Sequence, residues 1–227
     1  MKGYQILSEM ADNFSNKIDN DFQLLVQFHI RDSGENLSLS IKDGKISLKN
    51  KEKAGVDAEF FTTTQTLEDI YTGKMTAFTA AGKAHISDNA PLDVKFASDF
   101  TPDNLKNAYY FLMHFFNRHE PEKILLGKKH SRIVHGAHAI PLYYHPGFRS
   151  AWYQINKGQK MNEPDDTNPF SQAVIVVDGK GKAKIGDEII MVKANESYYI
   201  PPNSDHVFWT ENEQPLVLIW LAWGEGA

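Results

Sequence analysis

The sequence predicts two domains, an α+β domain at residues 1–119 followed by an all-β barrel at residues 151–227. Three observations support this fold class. In the first half, the apolar residues change from helical to alternating spacing and later return to helical spacing. In the second half, short apolar segments recur between Gly, Asn and Pro residues, without a helical period. Residues 120–150, between the two halves, form a basic segment rich in histidine.

The first domain begins with a predicted amphipathic helix, whose apolar face holds Ile6, Leu7, Met10, Phe14 and Ile18. Alternating apolar residues then predict short strands at 24–30, 37–41, 46–48, 60–64, 84–86 and 92–96. Thr66, followed by Asp69, resembles a capping box and predicts a helix that ends at Gly73. Thr101 followed by Pro102 predicts the start of a last helix, since a cap residue precedes proline.

In the second half, strands are predicted at 173–177, 189–192, 198–200, 207–209 and 216–222. Regularly spaced short strands with turns between them are typical of a small barrel or sandwich. The preceding segment contains Tyr143, Tyr144, Phe148 and Trp152, which is too aromatic for a free tether. We therefore expect residues 120–150 to pack onto the barrel as its leading strand.

The composition excludes several classes of function. The 227 residues include no cysteine, so a disulfide scaffold, a thiolate zinc site and a cysteine nucleophile are excluded. Residues 1–120, 121–150 and 151–227 carry net charges of −4, +4 and −5, without the basic face of a nucleic-acid-binding domain. Acidic residues interrupt the amino-terminal segment, and the longest apolar run is shorter than a membrane span. We expect a cytoplasmic protein without stable membrane insertion.

A series of short motifs in the first half carries a family resemblance. The segments, in chain order, are Val26–Asp32, Leu39–Lys45, Ala58–Phe60, Thr62–Thr64, Leu67–Lys74 and Ala81–Asp88. In their order and spacing, residues 22–96 resemble a sterol carrier protein type 2 domain. The resemblance implies a mostly antiparallel curved sheet, capped by helices, around an apolar tunnel that holds lipids, acyl chains or sterols. It implies no catalytic residue.

The residues expected to line this apolar cavity are large and hydrophobic. They are Phe28, Ile30, Leu39, Phe60, Phe78, Leu105, Tyr109, Leu112 and Phe116. Methionine and aromatic side chains adapt well to flexible apolar ligands. The alternative is that the same side chains simply fill a core, because protein interiors are close-packed.

Spacing in the second half carries another resemblance. One series of polar residues, counted back from Gly179, consists of Gln172, Asn168 and Asp166. A second regularly spaced series lies in a later segment and consists of Asn195, Pro201, Asn203, His206 and Thr210. These two patterns resemble the two motifs of the cupin family, whose first motif places two histidines and a glutamate before the glycine. Asparagine stands at both glycine positions of the second motif, and it tolerates left-handed backbone geometry.

The resemblance implies a cupin barrel over about residues 150–224, but its usual metal ligands are changed. Three imidazoles and a carboxylate bind a transition metal, whereas here one imidazole, two amides and Asp166 occupy those positions. The residues predicted to bind a small ligand in the barrel are Asp166, Asn168, Gln172, Val174, His206 and Phe208. No cofactor is expected, and the alternative is a divalent cation held by His206 and Asp166.

Histidines of the connecting segment offer no recognisable metal motif. His135, His138 and His145 are spaced unlike a zinc site, and Gly136 and Pro141 oppose a rigid helix there. We expect them to be solvated. Arg149 either holds an anionic ligand at the mouth of the barrel or pairs with surface acids.

These patterns leave three functional hypotheses. The first is a two-domain binding protein without catalytic residues, with an apolar ligand in one domain and a small molecule in the other. The second is a cupin enzyme that uses His206 and Asp166 on a hydrophobic substrate, and the third is a regulatory module that couples two ligands. The cupin resemblance also implies a homodimer, for which Trp209, Trp220 and Trp223 are candidate contacts unless they fill the barrel.

Overall fold

The computed structural model describes residues 2–227, which divide into two compact units. One unit holds the chain up to Ala81 together with Ser87–Leu125, and the other holds Gly82–Ile86 together with Leu126–Ala227. No helix within residues 2–227 is long and apolar enough to cross a membrane.

The first unit contains the helices. They are α1 (Gly3–Phe14), α2 (Thr64–Tyr71), α3 (Ala77–Ala81) and α4 (Pro102–His114), with a 3-10 turn at Ser15–Lys17 after α1. The predicted apolar face of α1 is confirmed, since Ile6, Leu7, Met10 and Phe14 are all buried. Ile18 lies beyond the helix, where the backbone is extended.

Side-chain hydrogen bonds identify the N-cap residues of α2 and α4. Thr101 Oγ1 accepts from the Asn104 N–H, with Pro102 in the first turn, so the predicted start of α4 is confirmed. The predicted start of α2 is wrong by three residues, because Thr63 is the cap and its hydroxyl accepts from the Thr66 N–H. The hydroxyl group of Thr66 therefore lies inside the helix and does not cap it.

The sheet of the first unit is mixed. Its strands are β1 (Leu24–Ile30), β2 (Glu35–Lys42), β3 (Lys45–Lys49), β4 (Ala58–Thr62) and β5 (Asp93–Phe96), in the order β3-β2-β1-β4-β5. The central pair, β1 with β4, is parallel and the other three pairs are antiparallel. Two strand predictions are wrong: residues 84–86 form no strand, and Thr64 begins α2 instead of ending β4.

Ten strands form the second unit. They are β6 (Arg132–Val134), β7 (Ala137–His145), β8 (Phe148–Ile155), β9 (Lys160–Met161), β10 (Ser171–Asp178), β11 (Lys180–Ile185), β12 (Glu188–Lys193), β13 (Ser197–Ile200), β14 (His206–Trp209) and β15 (Leu216–Trp223). One sheet has the order β13-β10-β15-β8-β7-β6 and the other β12-β11-β14-β9. Side chains from both sheets meet in one buried cluster that includes Val174, Leu218, Ala183 and Phe208.

The segment that precedes Trp152 contributes strands to this unit. His135 and Gly136 both have positive φ and connect β6 to β7 as a tight hairpin turn. Strand β7 then pairs with β8 from His138 to His145, with a register shift after Pro141. The large sheet therefore begins well before residue 151.

Candidate ligand site at one end of the barrel

Strand register defines one end of the large sheet. Ala222 on β15 lies directly opposite Arg149 on β8 and Gln172 on β10, and Gln172 lies opposite Ile200 on β13. Residues that lie opposite each other in antiparallel strands share a face. Because Gln172, Ala222 and Ile200 are fully buried, this row of four belongs to the inner face of the barrel.

Gln172 is the central polar group of this row. Its Oε1 accepts a hydrogen bond from the indole Nε1–H of Trp220 at 2.8 Å and lies 3.5 Å from Asn168 Nδ2. An indole nitrogen only donates, so this bond determines which end of the amide is the oxygen. The amide nitrogen Nε2 of Gln172 is buried and has no hydrogen-bond partner among residues 2–227.

His206 lies on the facing sheet, at the start of β14, and is 3% exposed. Its Nδ1 is 3.2 Å from the Ser204 carbonyl oxygen, and its Nε2 is 3.2 Å from Asn162 Nδ2. The same amide nitrogen faces the carbonyl oxygens of Asp166 and His206, which identifies it as the donor. The Ser204 carbonyl can only accept, so Nδ1 carries the ring proton and donates to it. The two N–H groups of the Asn162 amide are shared among Nε2 and the two carbonyl oxygens.

Burial determines the protonation of His206. It lowers the pKa of the imidazole, although the Ser204 carbonyl and the charges of Asp166 and Asp205 act in the opposite direction. The neutral ring agrees with the hydrogen bonds just described, because a protonated ring has no acceptor nitrogen for Asn162. Tyr153 is also buried in this barrel, and its burial raises the pKa of the phenol, which stays neutral.

Asp166 and Asn168 lie in the loop between β9 and β10, and both are partly exposed. The backbone carbonyl of Asp166 accepts from Asn162, whereas its carboxylate oxygen Oδ2 lies 3.8 Å from His135 Nδ1. The Asn168 carbonyl accepts from the Asn203 N–H at 2.7 Å, which connects this loop to the turn before β14. The two predicted motifs are therefore joined at one end of the barrel.

The donors at this end do not fit a transition metal. Gln172, Asn168 and Asn162 offer amides, and the Nε2 lone pair of His206 already accepts from Asn162. Within the described chain, no three His, Cys, Asp or Glu side chains are grouped so that they could hold one ion. The set suits hydrogen bonding to an organic ligand, because amides and a neutral imidazole both donate and accept.

The predicted barrel residues separate into two groups. Gln172, Val174, His206 and Phe208 are buried inside the barrel, whereas Asp166 and Asn168 lie in the loop above it. Sequence reasoning missed Asn162, which lies outside both motif spacings. It also left Trp220 undecided, although alternation along β15 places Trp220 on the face of Leu216 and Leu218.

The histidines of the connecting segment are held in the sheet. His135 lies in the β6–β7 turn near Asp166, and His138 Nδ1 is 3.0 Å from Ser131 Oγ. His145 ends β7, with its Nδ1 2.9 Å from the Pro146 carbonyl. His135 and His138 are partly buried, whereas His145 is exposed as expected, and all three lie in strands or a turn instead of a free linker. The structure does not bring the three rings together.

The nine residues predicted to line an apolar cavity lie in the first unit, and most of them form its core. Leu105 and Tyr109 are partly exposed and the other seven are buried. The Phe28 ring stacks on Phe60 at 5.0 Å and contacts Phe116 at 6.4 Å between ring centres. Phe78 and Tyr109 are 6.1 Å apart. The structure brings these rings into mutual contact.

Two facing sheets around an apolar core, with polar groups at one end, define a small all-β barrel. Residues 151–222 match the Cupin_2 family, described as the cupin domain, so the C-terminal part of the chain is a cupin-like domain. No curated protein sequence matches the chain. The resemblance of residues 22–96 to a sterol carrier domain finds no support in these comparisons.

Several solved cupin structures are similar to the chain. A Cupin 2 conserved barrel domain protein from Salinispora arenicola is 17% identical, covers 45% of this chain and 88% of its own, and has a TM-score of 0.41. The plu4264 protein from Photorhabdus luminescens is 18% identical, with coverages of 45% and 87% and a TM-score of 0.41. An RmlC-like cupin from Shewanella frigidimarina is 20% identical, with coverages of 41% and 80% and a TM-score of 0.37.

Proposed function

We propose that the cupin-like domain is a binding barrel that holds a small organic molecule at the end where Gln172 and His206 lie. The observation that carries this proposal is the buried Nε2 of Gln172, which has no partner among residues 2–227. A buried donor without an acceptor costs about 1–3 kcal/mol of stability. An acceptor atom of a ligand would recover that energy, and the adjacent apolar residues would enclose the rest of the molecule.

The state of His206 supports binding over catalysis. A general base needs a free lone pair within reach of the substrate, and the Nε2 atom of His206 faces the Asn162 amide at 3.2 Å inside a buried site. A metal-dependent or acid/base enzyme remains the alternative function, and the following experiment separates it from a binding protein.

Native mass spectrometry of the purified protein, compared with its denatured mass, tests the proposal. We expect an organic species that denaturation releases and that Gln172→Glu loses, because glutamate still accepts from Trp220 but no longer donates. Gln154→Glu is the matched control, since Gln154 lies on β8 and its amide donates to Asn156. A protein of bare mass would refute the binding function. A metal-sized increment lost in His206→Ala would favour the enzyme.

The apolar ligand expected in the N-terminal unit is a separate prediction that rests on the sequence resemblance. Fully buried rings such as Phe28, Phe60 and Phe111 lie between sheet and helices, so an acyl chain would have to displace them. The same mass measurement tests this prediction, because a lipid bound there would have an acyl-chain mass and would be retained in Gln172→Glu.

A further inference from the structure

A short segment after β15 turns back over one end of the barrel. Residues 224–226 are exposed, but Ala227 is only 4% exposed and lies in a buried cluster with Phe170 and Ala222. The chain therefore runs out of the large sheet into solvent and then folds inward again. We call residues 224–227 the plug.

The plug lies beside the candidate ligand site. Ala222 lies directly opposite Gln172 in the sheet, and Trp220, which packs against the same buried cluster, donates its indole N–H to Gln172 Oε1. Phe170 precedes Gln172 by two residues, and a Cβ atom on Gly226 would lie 3.8 Å from Phe170 Cδ1. The backbone of the plug therefore packs on Phe170 and covers the barrel end at which Gln172 lies.

The inward-folded part of the plug is held by weak interactions. The Gly147 N–H donates to the Ala227 carbonyl at 3.0 Å, and Arg149 Nη2 donates to the Gly226 carbonyl at 3.3 Å. The methyl group of Ala227 is the side chain that the plug buries. One buried methyl group and two hydrogen bonds to carbonyl oxygens favour the closed position by about 100-fold.

Two glycines allow the plug to move as a unit. Gly224 and Gly226 have φ angles of 110° and 85°, a backbone conformation that residues with a side chain rarely adopt. The Gly224 N–H donates to the Gly147 carbonyl at 3.1 Å, which fixes the start of the plug to the turn between β7 and β8. Rotation about Gly224 therefore moves residues 225–227 away from the barrel while β15 stays paired.

We propose that the plug is a gate, which covers the ligand site and opens about Gly224 to admit a molecule to Gln172. This inference rests on the proposed function, since it concerns the entrance to the same site. Opening removes Ala227 from its buried cluster and exposes the indole N–H of Trp220 to solvent. The sheet remains intact, so opening is a local event that does not require the barrel to unfold.

Hydrogen exchange of the full-length protein, measured by NMR at neutral pH and at low urea concentrations, tests the gate. The Gly147 N–H reports on the plug, and the indole N–H of Trp220, assigned with Trp220→Phe, reports on the ligand site. The Val176 N–H, which donates to the Glu196 carbonyl at 2.9 Å, reports on the whole barrel. We expect the first two protons to exchange at rates independent of urea, whereas the rate of Val176 should rise with urea.

Variants of the plug test whether its opening exposes the ligand site. Ala227→Gly removes one buried methyl group and should accelerate the exchange of Gly147 and of the Trp220 indole by the same factor, about 4-fold. Ala227→Asp places a charge in the buried cluster and should accelerate both about 10-fold or more. Glu225→Gln is the matched control, because Glu225 is an exposed residue of the same segment and should leave both rates unchanged.

Two results would overturn the gate. If the rates of Gly147 and of the Trp220 indole rise with urea as that of Val176 does, the plug opens only when the barrel unfolds. If Ala227→Gly accelerates Gly147 but not the Trp220 indole, the plug moves without exposing the ligand site. Neither result decides whether a ligand binds, because the native mass of the purified protein tests the proposed function separately.

Discussion

At the scale of single residues, the chemistry of His206 depends on two neighbours that lie on loops. The Ser204 carbonyl accepts a hydrogen bond from Nδ1–H, and the Asn162 amide nitrogen lies 3.2 Å from Nε2. The ring is therefore held neutral inside the barrel, where burial lowers its pKa. The ring therefore adds no positive charge to this end of the barrel.

The neutral His206 predicts a pH-dependent stability. Below its ordinary pKa of 6.5 the unfolded chain binds a proton at this position that the folded protein does not bind. The free energy of unfolding should therefore fall as the pH decreases from 7.5 to 5.5. In His206→Gln this contribution is absent, so the variant should be destabilised by about 1–3 kcal/mol at pH 7.5 and by less at pH 5.5.

Urea unfolding of both proteins at several pH values measures this difference. The pKa of His138 is also lowered by burial, and the comparison removes its effect because both proteins retain it. A stability difference that stays constant between pH 7.5 and 5.5 would show that His206 is protonated equally in the folded and unfolded chains.

Some single positions were predictable from local geometry and others were not. Asn195 and Asn203 occupy the two glycine positions of the second motif, and their φ angles of 69° and 59° are left-handed, a geometry that asparagine tolerates. Asn162 has a φ of 70° as well, but its role depends on a contact with His206, 44 residues away. Such a contact leaves no signal in local spacing.

At the scale of elements, the turn between β10 and β11 depends on Gly179. Its φ is +80°, and a Cβ atom there would lie 2.1 Å from the Pro215 carbonyl oxygen. Proline 215 directly precedes β15, so the turn packs against the entry to that strand. Gly179 also stands at the last position of the first of the two motifs that resemble the cupin family.

Gly179→Ala should therefore destabilise the protein strongly. The left-handed backbone alone costs about 1–3 kcal/mol for a residue with a side chain, and the clash with a backbone oxygen adds to this. Gly186→Ala is the matched control, since Gly186 has a φ of +60° but nothing within 4 Å of its Cβ position. Urea unfolding should show a larger loss for Gly179→Ala, and equal losses would exclude a contribution from the close contact.

Strands that alternate between core and solvent were the most predictable elements. All five strands predicted after residue 172 lie within observed strands, although β14 is buried or partly buried along its whole length. Residues 84–86 have the same apolar content but form no strand, and Ile86 is 98% exposed. The sequence pattern records which residues are apolar, whereas strand formation also requires a neighbouring strand in register.

At the scale of the whole molecule, the outer face of the large barrel sheet is apolar and exposed. Ile175, Tyr199 and Trp223 are 39%, 55% and 40% exposed, and Tyr199 contacts Trp223 at 6.2 Å between ring centres. Exposed apolar patches of this kind are typical of interaction surfaces. The homodimer implied by the family resemblance stays a prediction, and this face is where we expect a second copy to bind.

Analytical ultracentrifugation tests the homodimer. We expect a dimer at micromolar concentration, and Ile175→Asp should raise its dissociation constant by about 10-fold or more, since it places a charge in a desolvated contact. Ile189→Asp is the control, because Ile189 is 66% exposed on β12 of the other sheet. A monomeric wild-type protein, or equal effects of the two variants, would contradict the prediction.

The division into an α+β part and an all-β part was predictable from the change in apolar period, and the family match supports the second part. Only part of the candidate site was predictable from the sequence. Motif spacing identified Gln172 and His206, but the pairing of Arg149 with Ala222 depends on sheet register. Register between strands that are far apart in the sequence is set by the tertiary fold, which no local pattern records.

The order of strands in the barrel has a consequence for protein synthesis. Strand β15 is the last in the chain, yet it lies between β8 and β10 in the large sheet. While the ribosome is still making residues 216–223, β8 and β10 lack the neighbour that both need, and their open edges can pair with other nascent chains. The barrel therefore closes only after residue 223 is translated, and a premature stop before Leu216 would remove the strand that carries Ala222 and Trp220.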